Sequence, residues 1–194
     1  MSNYFIGIMT GTSADSLDGC IVNFKKNVDL IETAQIELGS EYKDKYEECI
    51  RLGFKEVNES ADLMEVEKTL NKKTIDLIET LIDKSRISRK SISLIALSGQ
   101  TIFHTYEKSY QIGNSQEIAD MTGINVCSNF RNFDIQQGGM GAPLIPAFHK
   151  YLYAENNKNK LIFNIGGISN GTYLKGDQIV IASDVGPGNC LIDM

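Results

Sequence analysis

Ile8-Met9-Thr10-Gly11-Thr12-Ser13-Ala14-Asp15-Ser16-Leu17-Asp18 is the stretch on which the reading of this chain turns. Apolar runs flank it, Tyr4 to Met9 before and Leu17 to Phe24 after, and the turn between them is small and hydroxyl-rich with almost nothing to bury. A third strand is expected from Val28 to Leu38, behind a tight connection at Lys25-Lys26-Asn27. The same pattern recurs late in the chain: strand Leu161 to Ile165, turn Gly166-Gly167, strand Ile168 to Leu174, turn Lys175-Gly176-Asp177, strand Gln178 to Ala182. Bare backbone at such a tip suits a site where main-chain N–H groups must reach phosphate oxygens, because larger side chains would block the approach. Thr10, Thr12 and Ser13 add hydroxyl donors, and the carboxylates of Asp15, Asp18 and Asp184 are candidates to hold magnesium directly or through water. One such turn alone reads as an ordinary hairpin. Two, at equivalent places in two similar halves, favour phosphate binding.

Outward from the first opening, Tyr42 to Ser85 turns long and polar, with Leu63, Val66, Leu70, Leu77, Ile78, Leu81 and Ile82 near a 3.6 period, which predicts two helices split near Gly53. Ile92 to Leu97 is a short apolar run suited to a buried strand, and it ends in Ser98-Gly99-Gln100-Thr101, a strand end of the kind where function collects. Asn114-Ser115-Gln116-Glu117 resembles a capping box opening a helix that Gly123 closes, with a strand from Ile124 to Cys127. The run from Asn129 to Pro143 is too glycine-rich for regular structure, and Leu144 to Ala154 is expected to be helical, with Pro143 or Pro146 in its first turn. The polar Glu155 to Lys160 stretch marks a boundary, so that 1–154 would form a first domain and 160–194 the start of a second. Asn189 would begin a helix after Asp184-Val185-Gly186-Pro187-Gly188.

Composition narrows the function classes. With 42% hydrophobic and 23% charged residues, the 194-residue chain can bury a core, which excludes a disordered protein. The 25 acidic against 19 basic residues give a net charge of -6, against a surface for nucleic acid or an anionic membrane. No apolar run approaches the roughly eighteen residues of a membrane span, and the amino terminus lacks the basic and apolar regions of a secretory signal. Cys20, Cys49, Cys127 and Cys190 lie far apart with only His104 and His149 to help them, which argues against zinc; they read as reduced, mostly buried thiols of a cytoplasmic protein.

Arg131 and Asp134 are the next candidates: a guanidinium can grip a carboxylate or phosphate bidentately, and a carboxylate can accept a proton, unless the two form only a surface ion pair. Beside them, Gly138-Gly139-x-Gly141 does not follow a strand directly, as a dinucleotide fingerprint should. His104, after the Ser98 to Thr101 segment, is placed either to contact substrate or to serve structure, and His149 reads as structural.

These segments, with Gln111-Ile112-Gly113, Phe130-Arg131-x-x-Asp134, Gly141-Ala142-Pro143-Leu144-x-Pro146, Asn164-Ile165-Gly166-Gly167-Ile168-x-Asn170 and Asp184-x-Gly186-Pro187-Gly188-Asn189, together resemble the anhydro-N-acetylmuramic acid kinases of bacterial peptidoglycan recycling, in order along the whole chain. The resemblance implies an α/β actin-like ATPase fold, with two RNase H-like domains around an ATP cleft, the second one represented here only by its opening sheet. It implies that Gly11, Thr12, Ser13, Ala14, Asp15, Ser16, Leu17 and Asp18 form the first nucleotide loop and Gly166-Gly167 the tip of the second. Asp134 would be the catalytic carboxylate; Arg131, Ser98, Gln100 and His104 would line the sugar; Asp15 and Asp184 would be metal ligands. The implied reaction uses ATP and Mg2+ to open 1,6-anhydro-N-acetylmuramic acid and phosphorylate it.

The family usually has glycine, histidine and aspartate where this chain has Ser16, Ser98 and Asn129, which keeps a non-catalytic sugar- or ATP-binding relative as the alternative. An actin-like ATPase acting on proteins lacks the sugar-kinase segments. Expected partners are the amino sugar, the carboxy-terminal segment that family members carry, and a second copy as a homodimer, with neither nucleic acid nor membrane. Exposed apolar strands from Leu161 to Ala182 are expected to aggregate or to need that segment.

Overall fold

Alternating burial builds the first sheet of the computed structural model, which describes residues 3–25, 27–52 and 61–191. Strands β1 (Tyr4–Thr10), β2 (Ser16–Asn23) and β3 (Asp29–Glu37) form an antiparallel meander. Ile6, Ile8, Leu17 and Ile21 point from it into the core. Helix α1 (Ser40–Leu52) follows, then α2 (Ala61–Ser85), whose buried stripe from Leu63 to Ile82 recurs every three or four residues. The expected split near Gly53 lies outside the described residues. Strand β4 (Ile92–Leu97) then pairs parallel with β1, and the two-residue β7 (Val126–Cys127) pairs parallel with β4, giving the order β3-β2-β1-β4-β7.

Between β4 and β7 the segment Ser98 to Thr101, read from the sequence as a strand end, starts another strand at Gln100. Only Ser98 and Gly99 turn, and a hairpin of β5 (Gln100–His104) and β6 (Ser109–Ile112) follows at once. Helix α3 (Ser115–Thr122) opens on Asn114, whose side chain accepts from the Glu117 N–H at 3.0 Å, and closes on Gly123 in the left-handed region, as the capping residues predict. Two side chains of α2 secure its entry: Glu67 accepts from the Gly113 N–H and buried Asn71 from the Asn114 N–H, each at 2.9 Å.

The segment after Asn129 corrects a second expectation. Residues Phe130–Gln136 form helix α4, since glycine is confined to 138, 139 and 141, beyond its end. Helix α5 (Pro146–Tyr153) carries Pro146 at its first position, where a missing N–H costs nothing. Strands β8 (Asn159–Ile165), β9 (Ile168–Lys175) and β10 (Gln178–Pro187) make a second antiparallel meander, ordered β10-β9-β8, so the duplicated opening read from the sequence is present. A short 3-10 turn at Asn189–Leu191 ends the described chain.

The chain divides into two compact units, 1–133 and 134–194, the division falling within α4, ahead of the polar 155–160 stretch. Their cores differ sharply. The first unit holds nearly all the buried apolar side chains, whereas Leu174 is the only fully buried hydrophobic residue described in the second. Leu161, Ile165 and Val185 of the second meander are each about two-thirds exposed, at 66%, 64% and 66%. Cysteines also vary: Cys49 is buried, Cys20 half-buried and Cys127 exposed, so the expectation of mostly buried thiols holds only in part.

Candidate functional site

The turn between β1 and β2 packs on one residue. Ala14 is fully buried with φ of 54°, and its N–H reaches the Gly11 carbonyl at 3.2 Å, while Gly11, Thr12, Ser13 and Asp15 stay exposed. A non-glycine residue in the left-handed region is strained and persists only where its surroundings dictate it. A β-carbon placed on Gly11 would meet only Ser13, its hydroxyl at 3.6 Å and its backbone nitrogen at 4.0 Å, so the approach to this backbone is open. Leu17 is buried, Ser16 half-buried and Asp18 exposed; Gln35 on β3 donates to the Ser16 hydroxyl at 2.9 Å and to Asp18 Oδ1 at 3.0 Å.

Asp15, a candidate metal ligand, is engaged by protein. Its Oδ1 lies 2.8 Å from Lys43 Nζ on α1, and this contact, with a hydrogen bond from Ser13, holds its carboxyl below the ordinary value of 3.8. A depressed carboxyl pKa contributes stability above its unfolded value, and that contribution disappears as pH falls through the folded one. Lys43→Met should therefore move the Asp15 titration upward toward 3.8, read by carboxyl-carbon NMR, and an unmoved titration would contradict the pairing. The pair is exposed, so little change in overall stability is expected.

Gln100 is wholly buried, and its side chain turns to the same loop: Thr10 Oγ1 donates to its Oε1 at 2.9 Å, and its Nε2 donates to the Gly11 carbonyl at 3.0 Å. Ser98 instead lines a polar pocket of about 330 Å³ with Gly99, Ser109, Gln111, Gly113, Ser128, Asn129 and Asn132. Asn132 builds one wall, its Oδ1 accepting from the Ser109 N–H and its Nδ2 donating to the Ser109 carbonyl, both at 2.8 Å. It also donates to Asn129 Oδ1 at 2.6 Å. Of the four predicted sugar contacts only Ser98 lines this pocket; Gln100, Arg131 and His104 do not. Arg131 on α4 is half-buried, and desolvation pulls its guanidinium below its ordinary pKa while leaving it charged. His104 ends β5 on the exposed surface.

In the second unit, Asp134 explains the glycine-rich loop. The Gly141 N–H donates to its Oδ2 at 2.8 Å, and a β-carbon on Gly139 would fall 2.0 Å from that oxygen. The loop thus cradles a carboxylate, a role that composition did not reveal. The Gly166-Gly167 turn is closed by a second segment: the Gly188 N–H donates to the Gly167 carbonyl and the Asn189 N–H to the Gly166 carbonyl, both at 2.9 Å. Gly188 is fixed there, since its β-carbon would lie 2.1 Å from the Gly166 oxygen. Asp184 is exposed on β10. His149 Nδ1 lies 2.9 Å from the buried Thr172 hydroxyl, the structural part expected of it. The wall of Asn132 and Ser109 was missed from sequence; the only trace was Asn129 and Asn132 three residues apart at the start of a helix.

No helix described is long and apolar enough to cross a membrane. Among solved structures, the Aquifex aeolicus Ppx/GppA phosphatase, type II variant, matches over 98% of this chain and 54% of its own at a TM-score of 0.52 and 12% identity, which shows the fold alone, the actin-like ATPase fold. The anhydro-N-acetylmuramic acid kinases of Shewanella loihica and Shewanella woodyi are 41% and 37% identical, each over 98% of this chain and 53% of the relative. The chain spans about half the length of the curated relatives it matches. The family model for anhydro-N-acetylmuramic acid kinase matches residues 3–194, and with its motifs in order along those residues, this chain belongs to the anhydro-N-acetylmuramic acid kinase family.

Proposed function

We propose that the protein to which this chain belongs is a cytoplasmic kinase that uses ATP and water to convert 1,6-anhydro-N-acetylmuramic acid into N-acetylmuramic acid 6-phosphate and ADP. Family membership supports the substrate, and the cradled Asp134 is the observation that carries the mechanism. Its carboxylate, oriented by the Gly141 N–H, acts as general base and takes a proton from the water that attacks C1. The C1–O6 bond breaks, and the freed O6 accepts the γ-phosphoryl group. Arg131 bears a fixed positive charge suited to an anionic group of the sugar. The pocket with Ser98, Gln111 and Asn129 offers hydroxyl and amide partners of the kind a sugar needs. The exposed backbone of 11–13 and the glycine turn at 166–167 would hold the phosphates.

Magnesium fits this donor set in one form only. Magnesium keeps most of its own waters and meets nucleotide phosphates, so exposed carboxylates can reach it through water. Asp184, and Asp15 beside its lysine, would hold such an ion through water; when bound, it would neutralise charge building on the phosphates.

The test is incubation of the chain, with and without the carboxy-terminal segment of its relatives, with magnesium ATP and 1,6-anhydro-N-acetylmuramic acid. Mass spectrometry should find the 6-phosphate when the segment is present. Absence of product in both arms would favour a non-catalytic sugar- or ATP-binding protein, the reading to which Ser16, Ser98 and Asn129 lend support.

A further inference from the structure

Gln100 is polar, wholly buried and uncharged, and both ends of its amide reach the end of β1 and the turn beside it, with the Tyr46 hydroxyl as a further partner. Oε1 accepts from the Thr10 hydroxyl and Nε2 donates to the Gly11 carbonyl, so the side chain spans the last residue of β1 and the first residue of the exposed turn. Tyr46 on α1, also buried, fixes the neighbouring main chain by donating its hydroxyl to the Thr101 carbonyl at 2.6 Å. On the other side, the Gln100 backbone pairs with Ile112 on β6, and Gly99 and Ile112 line the polar pocket. The residue therefore adjoins the pocket wall through Gly99 and Ile112 and reaches the turn through its amide.

An amide buried so deeply must satisfy its donor and acceptor, and here Thr10 and Gly11 do so. The far end of the turn is fixed by buried Ala14, by the Leu38 N–H on the Asp15 carbonyl at 2.8 Å and by the Asp15–Lys43 pair, whereas Gly11, Thr12 and Ser13 are exposed. A turn whose N–H groups must meet phosphate oxygens works best when its carbonyls are already held pointing elsewhere. We infer that Gln100 is a positioning residue that, together with the Ala14 N–H, holds the Gly11 carbonyl inward, so that the N–H groups of residues 11–13 are presented to the nucleotide phosphates rather than to the sugar. The inference rests on the proposed reading of that turn as a phosphate loop. It differs from the sequence expectation, which set Gln100 against the sugar.

Two near-isosteric variants test it in the whole protein. Gln100→Glu removes the donor to Gly11, and Thr10→Val removes the hydroxyl that orients the amide. Each should raise KM for ATP by about ten-fold or more while KM for the anhydro sugar moves less than about two-fold. Hydrogen exchange followed by NMR gives a readout without turnover: the Ala14 amide, which donates to the Gly11 carbonyl, should exchange about ten-fold faster in both variants, with β1 and β4 unchanged. A rise in sugar KM with ATP KM unmoved would make Gln100 a sugar contact and overturn the inference. Equal acceleration across β1 and β4 would make it an ordinary core residue, with the same result. If the wild-type protein forms no phosphorylated sugar, the kinase reading falls, and the exchange of the turn still decides the part played by Gln100.

Discussion

Replacing Asp134 with asparagine is expected to lower kcat by a factor of about a hundred to ten thousand, the range a positioned general base contributes. The dissociation constant for ATP should stay within about three-fold, because the substitution removes basicity and little else. Asparagine keeps an acceptor oxygen for the Gly141 N–H, so the loop that cradles the carboxylate retains its anchor. Pre-steady-state phosphorylation and calorimetric ATP titration on the same sample separate the two effects. Undiminished turnover would remove Asp134 from the chemistry.

The second large effect is expected from Gly139→Ala. Its new methyl would lie 2.0 Å from Oδ2, 2.4 Å from Cγ and 2.6 Å from Oδ1 of Asp134, so the whole carboxylate must swing away or the loop must shift. A misplacement of about 1 Å in a reacting group costs on the order of a hundred-fold in rate, and kcat should fall by about that factor. A kcat within about two-fold of wild type would mean that the cradle has no bearing on the reaction.

The first meander was legible because strands β1 and β2 alternate buried with less buried positions, β3 alternates half-buried with exposed ones along its second half, and the Gly11 to Asp15 turn offers only the small Ala14 for burial. Helix α3 was legible from its ends, where Asn114 and Gly123 each do one local job. The β5–β6 hairpin was not, since Gln100 follows β4 after a two-residue turn and a buried glutamine in a short strand carries no apolar signature. Once the strand is known, the placing of Gln100 with Ile102 on the buried side follows from the period of two. Helix α4 was obscured by the glycines behind it, although 130–136 contains neither glycine nor proline. Asp134 could be singled out by type and company. Its setting could not, because the contact with Gly139 and the bond from Gly141 come from how the chain folds back after the helix.

The scarcity of core in the second meander, with Leu174 its only fully enclosed apolar side chain, bears on how the polypeptide loses its structure. Cooperativity needs many side chains that are released together, and the first unit has them while the second holds few. Unfolding should proceed in two tiers, with the β8 to β10 strands opening to solvent and to proteases at a lower cost than the sheet built around Ile6, Leu17 and Ile95. Anything that covers Leu161, Ile165 and Val185 would raise the lower tier toward the upper and merge the two transitions into one.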